Sequence, residues 1–90
     1  MKDSYLEVTY RRGRAVAAYY YLPRRPEQRS YKTRLAAPGL VIDFARNGRP
    51  IGIEITAPTR LSVAALNKVL RELSLPLVTR ADLAPVLAAA

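Results

Sequence analysis

Cysteine, histidine and tryptophan are all absent from this 90-residue chain. Without cysteine there are no disulfides and no thiolate chemistry, which is typical of a reducing cytoplasm. Without histidine the chain lacks the commonest general acid–base group and the commonest metal ligand of proteins. Its four glycines are isolated from one another, so no glycine-rich phosphate loop is present either. We therefore predict a protein that is not an enzyme and that has no catalytic residues, metal or cofactor.

Long apolar segments are missing as well. The longest apolar runs, residues 15–23 and 83–90, are well short of the roughly 20 residues that a membrane helix needs. The beginning of the chain, Met1 to Tyr5, is polar and charged and does not resemble a signal peptide. We expect a soluble protein that stays in the cytoplasm and does not associate with membranes.

Positive charge is the one compositional extreme, because 15 Lys and Arg oppose 7 Asp and Glu for a net charge of +8. Most of the excess lies in a basic stripe between residues 11 and 34, which contains a single acid, Glu27. Such a stripe is typical of contact with nucleic acid or an acidic partner, and equally of a solvated surface that keeps a small protein soluble. The basic residues of the stripe are Arg11, Arg12, Arg14, Arg24, Arg25, Arg29, Lys32 and Arg34.

Alternating apolar and polar residues predict an antiparallel sheet of four to five strands, built from hairpins or a meander. The predicted strands are residues 5–10, 15–22, 30–36, 40–44 and 51–55.

The last two strands flank Asn47-Gly48, the preferred pair of a two-residue type I′ hairpin turn. That turn sets the register, and a slip by one residue would separate every apolar pair. The predicted facing pairs are Phe44 with Ile51, Ile42 with Ile53, Leu40 with Ile55, and Pro50 with Ala45.

After Pro58 the apolar residues recur at helical spacing, which predicts a helix over residues 62–73 with Ser62 or Thr59 as its N-cap. A second, short helix is predicted from Thr79, with Pro85 near its middle. The predicted fold class is therefore α+β, with one or two C-terminal helices packing on one face of the sheet. We expect a single domain over residues 1–90, with a strand-rich core at 1–61 and a helical C-terminal extension at 62–90.

The hairpin segment from Gly39 to Ile55, GLVIDFARNGRPIGIEI, resembles the signature of an uncharacterised bacterial family, domain of unknown function 2283. The run from Ala17 to Leu22 is similar to the family's tyrosine-containing strand, and the resemblance extends over Leu6 to Leu61. The turn after the first strand departs from the family, because it carries arginines where members usually have acids. The resemblance implies no established activity. Some members resemble the antitoxin-like half of two-gene modules, beside a small toxin-like partner.

Asp43 and Glu54 are the acids that match the family's pattern. In the predicted register they occupy diagonal positions on the face opposite the apolar pairs, with backbones about 7–8 Å apart. Two carboxylates at that spacing can act as general acid and base or hold a divalent cation. A structural role is favoured, in which Asp43 accepts a backbone hydrogen bond or pairs with Arg34 or Arg46, because a flat hairpin lacks the concave pocket of an active site.

Tyr19 and Tyr21 lie between the two halves of the basic stripe, and strand alternation places them on the face opposite Tyr20. Tyrosines flanked by arginines on a sheet can stack nucleic-acid bases while the arginines hold phosphates. The favoured interpretation is that these tyrosines cover a sheet face or a subunit interface, where tyrosine is enriched.

The first functional hypothesis is a non-enzymatic, antitoxin-like binding module that acts through protein–protein contacts, with self-association as a homodimer and a small, toxin-like protein partner. The second is a nucleic-acid-binding protein that uses the basic stripe together with Tyr19 and Tyr21. A homodimer is favoured because a small sheet with one helix leaves a face to be covered. The C-terminal helices either pack on their own sheet, dock into a partner or exchange between two copies.

Overall fold

The computed structural model of the chain describes residues 4–89, so the first three residues of its polar beginning and Ala90 lie outside the described part. Five strands are followed by a short 3-10 turn and two helices, which confirms the predicted α+β class. The elements are β1 (Tyr5–Arg11), β2 (Arg14–Tyr21), β3 (Lys32–Ala37), β4 (Leu40–Phe44), β5 (Pro50–Ile55), the 3-10 turn (Pro58–Arg60), α1 (Val63–Glu72) and α2 (Ala84–Ala89).

The strands form one antiparallel sheet in the order β1-β2-β5-β4-β3. The predicted hairpins are present, but β2 pairs with β5 rather than with the next strand along the chain. Residues 22–31 therefore cross one end of the sheet and carry the chain from β2 to the far edge. As a result β1 and β3 are the two edge strands, and the most apolar strands, β4 and β5, lie inside the sheet.

The predicted register of the β4–β5 hairpin is confirmed away from its turn. Leu40 faces Ile55 and Ile42 faces Ile53, and all four side chains are buried. These pairs place the apolar residues of both strands on one face of the sheet.

Near its turn the predicted register is wrong, because Phe44 faces Pro50 rather than Ile51. Gly48 has φ +87°, while Asn47 is not among the residues with positive φ, so the two-residue type I′ turn is excluded. The loop has three residues, 46–48, with left-handed Gly48 in last place. The register therefore moves by one residue at the turn, and a bulge between Asp43 and Phe44 restores it.

Hydrogen bonds at the ends of this loop explain the change. The amide of Gly48 donates to the carbonyl of Ala45 at 2.9 Å, and the amide of Ala45 donates to the carbonyl of Arg49 at 2.8 Å. Ala45 thus faces Arg49. The predicted two-residue turn would have placed Ala45 opposite Pro50 instead. The Asn47 side chain accepts from the Arg49 amide at 3.0 Å, which further stabilises the loop.

The hydrophobic core joins one face of the sheet to the C-terminal segment. Val78, Leu83 and Val86 belong to the same cluster of buried side chains as residues of α1 and of the strands β2, β4 and β5. Buried members of the cluster are Ala18, Leu22, Leu40, Ile42, Ile53, Ile55, Leu66, Val69, Leu70, Val78, Leu83 and Val86.

The beginning of α1 follows the predicted capping. Ser62 is the N-cap, and its hydroxyl accepts a hydrogen bond from the amide of Ala65 at 3.0 Å.

Inside the helix, Asn67 bridges to the segment before α2: its side chain donates to the carbonyl of Val78 at 2.9 Å and accepts from the amide of Val78 at 2.8 Å. The amide group of Asn67 therefore satisfies both backbone groups of a buried residue.

The second helix begins later than predicted. Thr79 and Asp82 exchange the expected capping hydrogen bonds, with the Thr79 amide donating to Asp82 at 2.7 Å, but regular helix starts only at Ala84. Pro85 consequently lies in the first turn of α2 rather than in its middle. In the first turn a backbone N–H has no acceptor within the helix, so proline at this position removes no helical hydrogen bond.

Candidate functional site

Three tyrosines and three carboxylates occupy the sheet face opposite Ile42 and Ile53. The strand pairing settles this placement, because directly facing residues of antiparallel strands point to the same side. None of these side chains belongs to the described hydrophobic core cluster. We call this surface the tyrosine face; its residues are Tyr5, Glu7, Tyr19, Tyr21, Val41, Asp43, Gly52 and Glu54.

Tyr19 crosses from β2 over β5 to reach β4. Its hydroxyl donates a hydrogen bond to Oδ2 of Asp43 at 2.7 Å. Gly52, on the intervening strand, faces Asp43 and leaves the space for the ring: a Cβ at position 52 would overlap the phenol of Tyr19. The glycine is therefore needed for close approach of a side chain and not for an unusual backbone conformation.

The Tyr19 phenol is kept neutral by its surroundings. Burial raises the pKa of Tyr19 well above its ordinary value, and the hydrogen bond to Asp43 and the negative charge of that carboxylate raise the pKa further. Tyr19 thus remains a hydrogen-bond donor over the physiological pH range and holds the Asp43 carboxylate in one place.

Tyr21 lies at the centre of a second set of contacts on the same face. Its ring stacks on Tyr5 with centroids 4.4 Å apart, and Tyr19 meets it edge-on at 4.6 Å. The guanidinium of Arg24 lies over the Tyr21 ring at 5.1 Å, and the Tyr21 hydroxyl donates a long hydrogen bond of 3.4 Å to Glu7. Partial burial and the charge of Glu7 raise the pKa of Tyr21. These contacts hold the side chains of the tyrosine face in defined positions.

The two acids that match the family's pattern lie on this face. The register puts Asp43 opposite Gly52 and Glu54 opposite both Val41 and Tyr19, so the carboxylates are diagonal neighbours. Asp43 is half-buried and bonded to Tyr19, whereas Glu54 is exposed. Among residues 4–89, no group of three or more acidic side chains could hold a metal ion. The arrangement provides an ordered carboxylate and an exposed one, which suits recognition of positive charge.

The basic stripe of the sequence is divided by the fold. Arg11, Arg12 and Arg14 surround the β1–β2 turn, while residues 24–29 lie at the other end of the sheet. The strand between them, β2, has 8 residues, so its ends are about 23 Å apart at the usual rise per residue.

The last two residues of the stripe lie on a third surface. Lys32 and Arg34 face Phe44 and Ile42 on edge strand β3, on the side of the sheet away from Tyr19. The stripe is therefore not one surface.

A different basic cluster forms where the loop after β2 meets the β4–β5 turn. One open pocket of about 380 Å³ is lined by Arg24, Arg25 and Arg49, together with two side-chain amides. A neighbouring pocket of about 370 Å³ is lined by residues that include Arg29, Tyr31 and Arg46. We call this surface the arginine end; its residues are Arg24, Arg25, Arg29, Tyr31, Arg46 and Arg49.

The sequence pattern missed half of the arginine end. Arg46 and Arg49 flank the hairpin turn and are distant in sequence from the stripe, and Tyr31 was not singled out. The Arg46 guanidinium lies 5.3 Å from the centroid of the Tyr31 ring, which is 64% exposed. The sequence signal for these residues was that two arginines flank Asn47-Gly48. Their contact with the loop after β2 depends on the path of residues 22–31 across the end of the sheet, which the sequence pattern did not predict.

The predicted grouping of Tyr19 and Tyr21 with the whole stripe does not occur. Both rings share their face with three carboxylates, and of the stripe only Arg24 lies over either ring among the described contacts. The Tyr19 hydroxyl is already bonded to Asp43. Base stacking on these two tyrosines would therefore bring phosphates close to negative charge.

The chain is thus a small α+β protein with an ordered tyrosine and carboxylate surface on a five-stranded antiparallel sheet. Residues 17–57 match the family described as "Protein of unknown function (DUF2283)", which confirms the resemblance over that part of the predicted span of Leu6 to Leu61. The matched segment runs from β2 to just beyond β5 and contains Tyr19, Asp43, Gly52 and Glu54. No curated protein and no solved structure matches the chain. None of the helices in the described part is long and apolar enough to cross a membrane.

Proposed function

We propose that this protein is a non-enzymatic binding module that acts through protein–protein contacts and that the tyrosine face is its surface for a protein partner. The observation that carries the proposal is the ordered set of Tyr5, Tyr19 and Tyr21 on a sheet face outside the core cluster. Tyrosines contribute large contact areas and a polar group while losing little side-chain entropy, so they are enriched at interfaces.

In this proposal the C-terminal helices pack on their own sheet and cover the face opposite the tyrosines. The shared core cluster supports this, because Leu66 and Leu70 of α1 belong to it together with Ile42 and Ile53. A helix whose apolar residues are committed to the core is not free to dock elsewhere. The tyrosine face is then the sheet face left for another molecule.

The charge of the tyrosine face indicates the chemistry of the partner. Glu7, Asp43 and Glu54 are 3 of the 7 acids of a chain whose net charge is +8. Two copies that met through this face would bring like charges together, whereas a protein presenting lysines and arginines would pair with them. The partner expected from this charge is therefore a basic protein, and the small toxin-like neighbour that the family resemblance suggests is the first candidate.

The test is binding to the protein encoded by the adjacent gene, measured by calorimetry on the purified pair. Glu54→Lys should weaken the complex about tenfold or more, because it replaces an attractive contact by a repulsive one. Glu72→Lys is the matched control, since Glu72 is exposed at the end of α1. Equal losses in the two variants would show that the tyrosine face is not the contact surface, and absence of any complex would reject the two-gene partner.

The arginine end supports a second candidate function, binding of nucleic acid through its phosphates. Its distinctive feature is that folding adds Arg46, Arg49 and the exposed ring of Tyr31 to Arg24, Arg25 and Arg29. Guanidinium groups around open pockets bind phosphates, and an exposed aromatic ring beside them can stack on an unpaired base.

Fluorescence anisotropy with labelled duplex DNA and single-stranded RNA tests this second function. If five phosphates of duplex DNA are neutralised, affinity should fall about 500-fold between 50 and 200 mM salt. Arg49→Glu should weaken binding strongly, while Arg12→Glu, at the opposite end of the sheet, should have a much smaller effect. Equal effects of the two variants, or no binding at the lower salt concentration, would reject a phosphate site at the arginine end.

A further inference from the structure

We propose that two copies of this chain associate by antiparallel pairing of their β1 strands, centred on Val8, to form one ten-stranded sheet. The inference deepens the self-association part of the proposed function by naming the surface and the register. It does not depend on the partner of the tyrosine face, because it rests on the outward backbone groups of β1, although Tyr5 and Glu7 belong to both surfaces.

The strand β1 has an open edge. Among the described residues it pairs only with β2, so the outward backbone amides and carbonyls of Tyr5–Arg11 have no strand partner. The irregularity between β1 and β2 places its extra residue, Val16, on β2. Strand β1 therefore keeps regular alternation along its 7 residues, as a strand-pairing surface requires.

The other edge strand carries features that discourage pairing. Strand β3 contains Lys32 and Arg34, both exposed, and its pairing with β4 is interrupted between Leu35 and Ala37. Charged side chains and irregularities are common means by which proteins protect sheet edges. Strand β1 also carries two charged side chains, but Glu7 and Arg11 are of opposite sign and can attract each other across a pair of strands, and β1 contains no proline.

Pairing centred on Val8 uses the whole of β1. Directly facing positions are then Tyr5 with Arg11 of the second copy, Leu6 with Tyr10, Glu7 with Thr9, and Val8 with Val8. Apolar residues meet apolar residues on one side of the sheet and polar residues meet polar ones on the other. The two tyrosine faces consequently lie on the same side of the extended sheet, where together they can bind two partner molecules.

Charge distinguishes this register from its neighbours. In it Arg11 of the second copy faces the Tyr5 ring and is the diagonal neighbour of Glu7, which favours cation–π and ion-pair contacts. A register centred on Glu7 would place two carboxylates directly opposite each other. One centred on Thr9 would leave Tyr5 and Leu6 outside the pairing.

The core side of β1 also has apolar surface to bury. Leu6 and Val8 are only half-buried within one copy, and Tyr10 is 48% exposed. The Tyr10 hydroxyl donates to the carbonyl of Pro85 at 3.0 Å, so its ring is already held at the edge of the sheet. Pairing would bring this ring against Leu6 of the second copy and remove both from water.

Cross-linking through a single introduced cysteine tests the register, because the natural chain has no cysteine. In antiparallel strands facing Cα atoms are about 4.5–5.5 Å apart, which suits a disulfide. Val8→Cys should therefore form a covalent dimer rapidly under mild oxidation. In the same register two copies of residue 9 are about 8 Å apart, too far for a disulfide, so Thr9→Cys should cross-link poorly.

Position 33 supplies the matched control, because Thr33→Cys places an exposed thiol on the other edge strand. The thiol at position 8 is the less exposed one, so preferential cross-linking there cannot result from accessibility. Faster cross-linking of Thr9→Cys, or equal rates for all three variants, would overturn the proposed register.

Light scattering on the isolated protein tests the association without a cross-link. The monomer has a mass of 10.0 kDa, and the dimer should have twice that mass. Glu7→Arg and Arg11→Glu should each raise the dimer dissociation constant about tenfold, because each contact occurs twice, and the double exchange should restore affinity.

The outcomes separate the register from self-association itself. A monomer at all concentrations up to millimolar would overturn both. A dimer that Glu7→Arg leaves unchanged would overturn the β1 interface while self-association stands. Neither result affects the measured affinity for a partner of the tyrosine face.

Discussion

Replacing Gly52 by alanine should destabilise the fold, because the added methyl group would meet the ring of Tyr19. The two residues are distant in sequence but in direct contact in space. Alanine normally stabilises a strand relative to glycine by roughly 0.5–1 kcal/mol, because it restricts the unfolded chain. At position 52 the new Cβ would overlap the Tyr19 ring and displace it from Asp43. Gly52→Ala should therefore lower the free energy of unfolding rather than raise it.

The expected magnitude follows from the contacts that are lost. Displacing the ring breaks a charge-assisted hydrogen bond worth about 1.5 kcal/mol and introduces overpacking strain of about 1–3 kcal/mol. Against these stands the intrinsic gain of alanine over glycine. We expect a net loss of about 2 kcal/mol in the free energy of unfolding, which for a domain of this size lowers Tm by about 10 °C.

Urea denaturation of four proteins measures the effect: wild type, Gly52→Ala, Tyr19→Ala and the double variant. Without the Tyr19 ring, alanine at position 52 has space and should be neutral or slightly stabilising. The coupling energy between the two sites should thus be about 2–3 kcal/mol. If Gly52→Ala costs the same in both backgrounds, Tyr19 does not lie over Gly52 and the reasoning is refuted.

The remaining predictions concern single contacts of Tyr19, Ser62 and Asn67. Because the folded-state pKa of Tyr19 is raised, the stability that the neutral phenol contributes is fully present below about pH 10 and is lost as the pH rises above that value. Chemical denaturation of Tyr19→Phe across pH 8–12 should therefore show a smaller loss of stability at alkaline pH than wild type. The same pH profile in both proteins would contradict this prediction. Ser62→Ala removes the N-cap of α1 and should cost about 1 kcal/mol in the urea midpoint analysis, with Ser62→Asp close to wild type; a neutral effect of alanine would argue against the cap. Asn67→Ala leaves both backbone groups of buried Val78 unsatisfied and should cost about 2 kcal/mol or more, with faster hydrogen exchange of the Val78 amide; wild-type protection in the variant would show that the bridge is dispensable.

Local sequence patterns predicted the elements well and their connections less well. Period-two alternation identified all five strands, and the change of period near Pro58 identified α1 with its Ser62 cap. The loop at Asn47-Gly48 was placed correctly, but its type was wrong. Asn-Gly suits both a two-residue turn and a three-residue loop that ends in left-handed glycine, and the choice depends on hydrogen bonds across the strands.

The candidate surfaces were predictable only in part. Alternation placed Asp43 and Glu54 opposite the apolar pairs of their hairpin and Tyr19 and Tyr21 opposite Tyr20, because side-chain direction in a strand is a local property. The pairing of β2 with β5 was needed to show that both sets share one face. The hydrogen bond from Tyr19 to Asp43 was not predicted, since it requires β2 to lie beside β5. The available signals were the tyrosines of β2 and the glycine inside β5, Gly52. The two strands are far apart in the sequence, and no local pattern indicates that they are adjacent.

What the sequence determined by itself is therefore everything that depends on neighbours along the chain: strand and helix periods, the Ser62 cap, the excess of positive charge and the absence of cysteine and histidine. Tertiary structure alone decided which strands are adjacent. That order divided the basic stripe between different surfaces, brought Arg49 beside Arg24 and Arg46 beside Arg29, and left β1 at an open edge. The physical reason is that strand order depends on long-range pairing and core packing, for which residues distant in sequence must be brought together.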